Sequence, residues 1–161
     1  MNQRNLRKSI ALRPIQSADF PFLQQVYAST RMDIQQAAGL TPAHKALLLQ
    51  HQFNAQHSHY QKYFEQASFD IILFKKSTIG RLYVNRQLDE IRVVDISILP
   101  KFQKQGIGTF LLKNILAEGK KTATKVVLHV EQYNPALALY ERLGFEKKKE
   151  VGTRFFMEWK S

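Results

Sequence analysis

Between Glu90 and Val130 the chain spells out one unit that leaves few folds open. Glu90 to Leu99 reads as a strand, and Pro100 stops it. A short loop with Gln103, Lys104 and Gln105 leads to Gly106-Ile107-Gly108. From Gly106 to about Glu118 a helix carries Ile107, Leu111 and Ile115 on one stripe. Lys125 to Val130 is a strand again. A strand, a crossover helix and a second strand make a right-handed parallel step.

The rest of the chain is arranged around that step. Ser9 to Arg13 is extended and ends at Pro14. Ser17 or Asp19 caps a helix through Phe22, Leu23 and Val26 toward Thr30. Gly39 breaks the chain, and Thr41-Pro42 starts a second helix, a cap followed by Pro at the first helical position. That helix carries Ala46, Leu49, Phe53, Tyr60 and Phe64. After Ser68 the period shortens. Phe69 to Phe74 is a buried strand. Thr78 to Val84 alternates, with Gly80, Leu82 and Val84 on one face and Ile79, Arg81 and Tyr83 on the other. With Glu90 to Leu99 these strands form an antiparallel meander. Asn134 caps a further helix, which Pro135 opens and Gly144 ends. Thr153 to Trp159 is the last strand. The order β-α-α-β-β-β-α-β-α-β gives a mixed α/β or α+β architecture. No repeat or flexible linker divides residues 1–161, so one domain is expected.

Three bulk properties narrow the chemistry. There is no Cys, which removes disulfides, thiol nucleophiles and zinc-thiolate sites. The N-terminal segment Met1 to Lys8 is basic but has no apolar stretch behind it, so a cytoplasmic location is expected. Lys and Arg number 24 against 13 Asp and Glu, a net charge of +11. Such a surface favours polyanionic partners. His44, His51, His57 and His59 do not form a metal site, because no two of them are three or four apart on a helix.

Glycines at the start of a helix let backbone N–H groups approach a ligand, and the helix start is the positive end of its dipole. The loop after Pro100 therefore suits a phosphate or pyrophosphate, with Lys101 and Lys104 adding charge. It is not a P-loop, since no Gly-Lys-Ser/Thr follows, and it lacks the third Gly of the dinucleotide fingerprint.

Downstream, Asn134, Pro135, Ala138, Tyr140, Leu143, Gly144 and Phe145 form a second motif. Read together with Gln103, Gly106 and Gly108, it resembles the GNAT superfamily of acetyl-CoA-dependent N-acetyltransferases. One departure is that Leu137 holds the usual Ala place, flanked by Ala136 and Ala138. The resemblance implies a mostly antiparallel mixed sheet, helices on both faces and a splayed parallel strand pair. Acetyl-CoA would lie in the splay as acyl donor, with pantetheine pairing to the backbone of Ile96 and Ile98. The pyrophosphate would sit on the amides of Gln103, Lys104, Gln105, Gly106, Ile107, Gly108 and Thr109, and Asn134 would hold the pantetheine arm. No metal is implied.

Acetyl transfer needs a neutral amine and a stabilised leaving thiolate. The resemblance places Tyr140 as the acid. Relatives similar to ribosomal-protein N-terminal acetyltransferases carry Glu where His129 stands here. His129 is then the candidate base, with Glu131, Asp95 or water as rivals. Arg31, Gln52, Gln56, Tyr60, Arg81 and Tyr83 are candidates to wall the acceptor pocket. The acceptor is an amine: a protein N-terminus, a lysine or a small amine. No membrane partner is expected, nucleic acid is disfavoured, and a homodimer stays open. Two rival readings keep the fold and drop the transfer. One is a nucleic-acid module using Tyr83-Val84-Asn85-Arg86 and Arg154-Phe155-Phe156; the other is an acyl-CoA sensor.

Overall fold

The changes of period in the sequence become element boundaries in the computed structural model, which describes residues 2–161. The front half holds α1 (Gln3–Ser9), β1 (Ile10–Pro14), α2 (Phe20–Ser29), α3 (Met32–Gln35) and α4 (Pro42–Tyr63). Then come β2 (Ser68–Phe74), β3 (Ser77–Arg86), β4 (Glu90–Ile98) and α5 (Ile107–Thr122). The chain finishes with β5 (Lys125–Glu131), α6 (Leu137–Arg142), β6 (Glu146–Val151) and β7 (Arg154–Trp159). The Thr41 hydroxyl accepts the His44 N–H, so the Thr-Pro start signal is used as read.

The seven strands form one sheet in the order β1-β2-β3-β4-β5-β7-β6. Every neighbouring pair is antiparallel except β4–β5. α5 covers one face, where Leu82, Val93, Leu128 and Met157 share a core with Ile107, Leu111 and Ile115. α2 and α4 cover part of the other face over a smaller core of Leu23, Tyr27, Phe53 and Ile71. Among the described residues no helix is long and apolar enough to cross a membrane.

Two bulges decide which side chains face which helix. Ile72 pairs with Gly80 but Leu73 pairs with Thr78, leaving Ile79 as an extra residue. Ile79 therefore joins the α5-side core with Leu82 and Val84, against the strict alternation expected for this strand. Gly80 is needed beside it, because a Cβ there would stand 2.2 Å from the Ser97 carbonyl oxygen. In β4, Val93 pairs with Val84 and Asp95 with Tyr83, so Val94 is the extra residue. Beyond that bulge Ile96 and Ile98 pack toward α5, and Asp95 meets α4 through Tyr60.

Four elements differ from the sequence expectation, the first being α3, an added short helix between α2 and α4. α1 is an added helix, capped by the Asn2 side chain, with Leu6 as its single buried residue. β6 is an added edge strand, exposed along its whole length and built on the run Lys147-Lys148-Lys149. α6 begins at Leu137 and not at Pro135. The Asn134 side-chain oxygen accepts the Ala136 N–H at 2.9 Å, so a turn precedes the helix.

Candidate active site

The parallel ladder between β4 and β5 is short. It runs from Glu90–Lys125 to Val93–Leu128 and stops at the Val94 bulge. Past that point β4 stays paired to β3, and β5 stays paired to β7. A gap opens between the upper halves of the two strands.

The backbone of β4 faces this gap at alternate residues. The Leu99 N–H donates to the Ile79 carbonyl at 2.9 Å, just past the Gly80–Ile98 pair. That pair is thus a non-hydrogen-bonded one, and the N–H and C=O of Ile98 point away from β3. Ile96, two residues back, points the same way. The Ile98 carbonyl accepts the Gln103 side-chain amide at 2.8 Å. Ile96 presents both groups to the gap, an edge suited to an extended amide-bearing chain.

The loop into α5 closes one end of the gap. Lys104 and Gly106 both take positive φ, 60° and 83°. Only a glycine adopts this conformation at the cap without cost. The first backbone bond into the helix is Phe110 N–H to the Gly106 carbonyl, 2.9 Å. Among the described residues, no acceptor takes the N–H groups of Lys104, Gln105, Gly106, Ile107, Gly108 and Thr109. Six free donors at a positive dipole end make an anion cradle. Gln103 is not one of them: its N–H donates to the Pro100 carbonyl at 3.2 Å. A Cβ at Gly108 would lie 3.7 Å from Ile98, so the cradle abuts the end of β4.

Tyr140 comes up from α6 into the α5-side core, 6% exposed, with its ring against Phe145. Burial, and after it the Asp95 carboxylate, push its phenol above the usual range. The hydroxyl therefore stays protonated and is a donor. Asn134 spends its side-chain oxygen on the turn and keeps its NH2 group.

On the α4 side, several of the expected wall residues converge on Asp95. Its carboxylate accepts from Arg81 Nε at 3.2 Å and Nη2 at 2.9 Å. It also accepts from Ser97 Oγ at 2.7 Å and Tyr60 Oη at 3.3 Å. Gln56 takes the second hydrogen of Arg81 Nη2 at 2.7 Å, and the guanidinium lies over the Tyr83 ring. Arg31 and Gln52 are elsewhere: they bond each other and Tyr27, and Arg31 pairs with Asp33. With four donors on it, Asp95 has no lone pair left for a substrate proton.

His129, the candidate base, lies across the gap on β5. Arg92 Nη1 is 3.1 Å from His129 Nδ1. Arginine only donates, so Nδ1 accepts and the ring proton sits on Nε2. Burial, and then Arg92, Arg154 and Lys149, push the imidazole below its usual range. The ring is a neutral donor, not a poised proton acceptor. The His129→Gln variant should keep the acidic limb of the parent pH–rate profile, because Nδ1 is already occupied by the Arg92 guanidinium and is not free to take the amine's proton. A limb that disappears or moves would restore His129 as the base. Glu131 is exposed and accepts from Thr153 at 2.8 Å. Arg92 and Ser97 were not singled out from the sequence: Ser97 shares a strand face with Asp95 by simple alternation, and Arg92 meets His129 only through the β4–β5 register. Among the described residues no cluster of His, Asp or Glu is arranged to hold a metal.

Comparison with known proteins agrees with this geometry. Residues 67–147 match the family model described as the acetyltransferase (GNAT) domain. The chain is 34% identical over 70 residues to the ribosomal protein bS18-alanine N-acetyltransferase of Haemophilus influenzae, covering 43% of this chain and 48% of that protein. It spans less than half the length of the curated relatives it matches. The PaiA N-acetyltransferase from Thermoplasma acidophilum, solved with coenzyme A, superposes with a TM-score of 0.70 at 18% identity, over 95% of this chain and 99% of that one. Arabidopsis thaliana Naa50, solved with the bisubstrate analogue CoA-Ac-MVNAL, superposes with a TM-score of 0.65 at 15% identity, over 95% and 99%.

Proposed function

The chain belongs to the GNAT acetyltransferase family, and from that membership we propose that it moves the acetyl group of acetyl-CoA onto a primary amine by direct attack. The observation that carries this reading is the gap beyond Val93–Leu128, with an unpaired backbone edge on one side and six free amides at its end. The edge at Ile96 and Ile98 pairs with the amides of pantetheine. The cradle from Lys104 to Thr109 takes the pyrophosphate. The Asn134 NH2 group steadies the pantetheine arm, and Lys101, Lys104 and the basic last turn of α1 supply counter-charge.

The amine lone pair forms the new C–N bond at the thioester carbon, and the C–S bond breaks as the tetrahedral centre collapses. Tyr140 donates a hydrogen bond to the departing sulfur. A phenol ordinarily titrates near ~10 and a thiol near ~8.5. Full proton transfer from Tyr140 is therefore uphill, and the phenol acts as a hydrogen-bond donor to the thiolate. The nitrogen gives up two protons between ammonium and amide: the first goes to solvent before attack, and the second leaves the tetrahedral intermediate through water and ends on the departed CoA thiolate or in solvent.

With His129 and Asp95 already bonded, no buried side chain takes the amine's proton. That selects the acceptor. At pH 7 an α-amine near ~8 is about 10% neutral, and a lysine near ~10.4 is about 250-fold less so. The reading is thus an N-acetyltransferase for a low-pKa amine, a peptide chain terminus first, with the more basic α-amine of a free amino acid behind it and a lysine side chain last.

Calorimetric titration with acetyl-CoA at two salt concentrations tests the donor site. Stoichiometric binding that weakens with salt is expected, followed by CoA release with an α-amine. No binding at either salt would reject the proposal.

A further inference from the structure

The face of the sheet beyond α4 carries a row of side chains across four strands. Arg92 on β4, His129 on β5, Phe156 on β7 and Lys149 on β6 follow one another, with His129–Phe156 and Lys149–Phe156 in direct register. The Phe156 ring is the centre. His129 lies 5.1 Å from it, and the Arg92 guanidinium and the Lys149 ammonium each lie 5.9 Å from its centroid. Arg154, in register with Glu131, stands one row nearer the open end of the gap.

Charge pairing separates Lys149 and Arg154 from the neighbouring cations. Glu90 pairs with Arg92, Glu146 with Lys148, and Glu158 with Lys160. Among the described residues Lys149 and Arg154 have no carboxylate within 4.0 Å. Glu131 turns to the Thr153 hydroxyl, away from Arg154. His129 offers only its Nε2–H, because Nδ1 is held by Arg92. Around Phe156, Lys149, Arg154 and the His129 Nε2–H stand as cations and donors beside the point where the amine must enter, while the carboxylates of Glu90, Glu131 and Glu158 are bonded to Arg92, Thr153 and Lys160.

We propose that the acceptor carries a negative charge close to its amine, and that Arg154, Lys149 and the His129 Nε2–H read that charge while Phe156 supports the intervening chain. The ligand chemistry is a carboxylate-bearing amine, from an acidic chain terminus or from a small acidic amino acid. This rests on the acetyltransferase reading and adds the class of acceptor to it. The opposite class, a basic terminus or polyamine, meets like charge here and is disfavoured.

The test compares matched acceptors on the wild-type protein with acetyl-CoA at low salt. The peptide amides Ala-Glu-Glu-Tyr, Ala-Gln-Gln-Tyr and Ala-Lys-Lys-Tyr form one arm, and free glutamate, glutamine and lysine the other. The Glu peptide should exceed the Gln peptide by tenfold or more in kcat/KM, with the Lys peptide last. The spread should shrink as salt rises. The arm in which the spread appears tells a terminus from a small molecule. In parallel, the His129 ring resonances, assigned with His129→Gln, are followed as each acceptor is added; they should move with the acidic ones alone. The double charge reversal Lys149→Glu with Arg154→Glu should invert the order toward the Lys peptide and leave acetyl-CoA affinity unchanged. Equal kcat/KM across each trio, or a lead for the basic acceptor, overturns the inference and leaves the acetyltransferase reading standing. If no acceptor turns over, resonances that stay still with the acidic probes overturn it, and resonances that move support it. Failure of acetyl-CoA itself to bind sinks both.

Discussion

Tyr140→Phe should lower kcat by roughly 10²- to 10³-fold, the scale of losing one donor aimed at developing negative charge. The affinity for acetyl-CoA should not change. The variant is a clean probe for a structural reason. The ring fills the core between α6 and the sheet against Phe145, and phenylalanine keeps that shape. The hydroxyl makes no hydrogen bond among the described residues, so its removal strands no partner and leaves stability near the parent value. Loss of kcat and kcat/KM in equal measure would mark an interaction made only in the transition state. The pH dependence adds a second check. Burial and Asp95 raise the phenol, so the parent enzyme should show no loss of rate from Tyr140 ionisation below about pH 10. Turnover in Tyr140→Phe within threefold of the parent would remove Tyr140 from the chemistry.

Much of this site was legible before any coordinates because its parts are local. The strand stop at Pro100, the glycines at 106 and 108 and the stripe on α5 all lie within one short stretch, and each has a local physical cause. The Thr41-Pro42 start of α4 is legible for the same reason. What escaped depends on partners far along the chain. β6 is exposed at every position, so it has no alternation to betray a strand; only pairing with β7 defines it. α1 buries Leu6 alone and carries no periodic stripe. The bulges at Ile79 and Val94 are defined across strands, and no composition marks them. The hydrogen bonding of His129 is illegible for that reason too. Its chemistry is set by Arg92, which is 37 residues away and on a different strand. Asn134 accepts the Ala136 N–H as a cap would, but the chain passes through a turn at Pro135 and Ala136 before the first helical bond, Tyr140 N–H to the Ala136 carbonyl.

The largest stability effect should come from Arg81. It is 2% exposed, it gives two hydrogen bonds to Asp95 and one to Gln56, and it lies over the Tyr83 ring. Replacing it with Met keeps most of the volume and removes the charge. Asp95 then stays buried with only the hydroxyls of Ser97 and Tyr60. Breaking one side of a buried pair typically costs ~3–5 kcal/mol. For a domain of this size that corresponds to a fall in Tm of roughly 6–20 °C. The double variant Arg81→Met with Asp95→Leu should be more stable than Arg81→Met alone, because the orphaned charge is gone; the cycle isolates that term. A loss below ~1 kcal/mol in Arg81→Met would show that the pair behaves like a surface one. The location of the pair explains why a chain would keep so costly an arrangement. Arg81 is in register with Ser97, and Asp95 follows directly on the Val94 bulge. These are the residues that hold β4 to β3 where it has already left β5. The ion pair therefore fixes the strand segment whose other edge, at Ile96, is left unpaired and is the edge the proposed donor site requires.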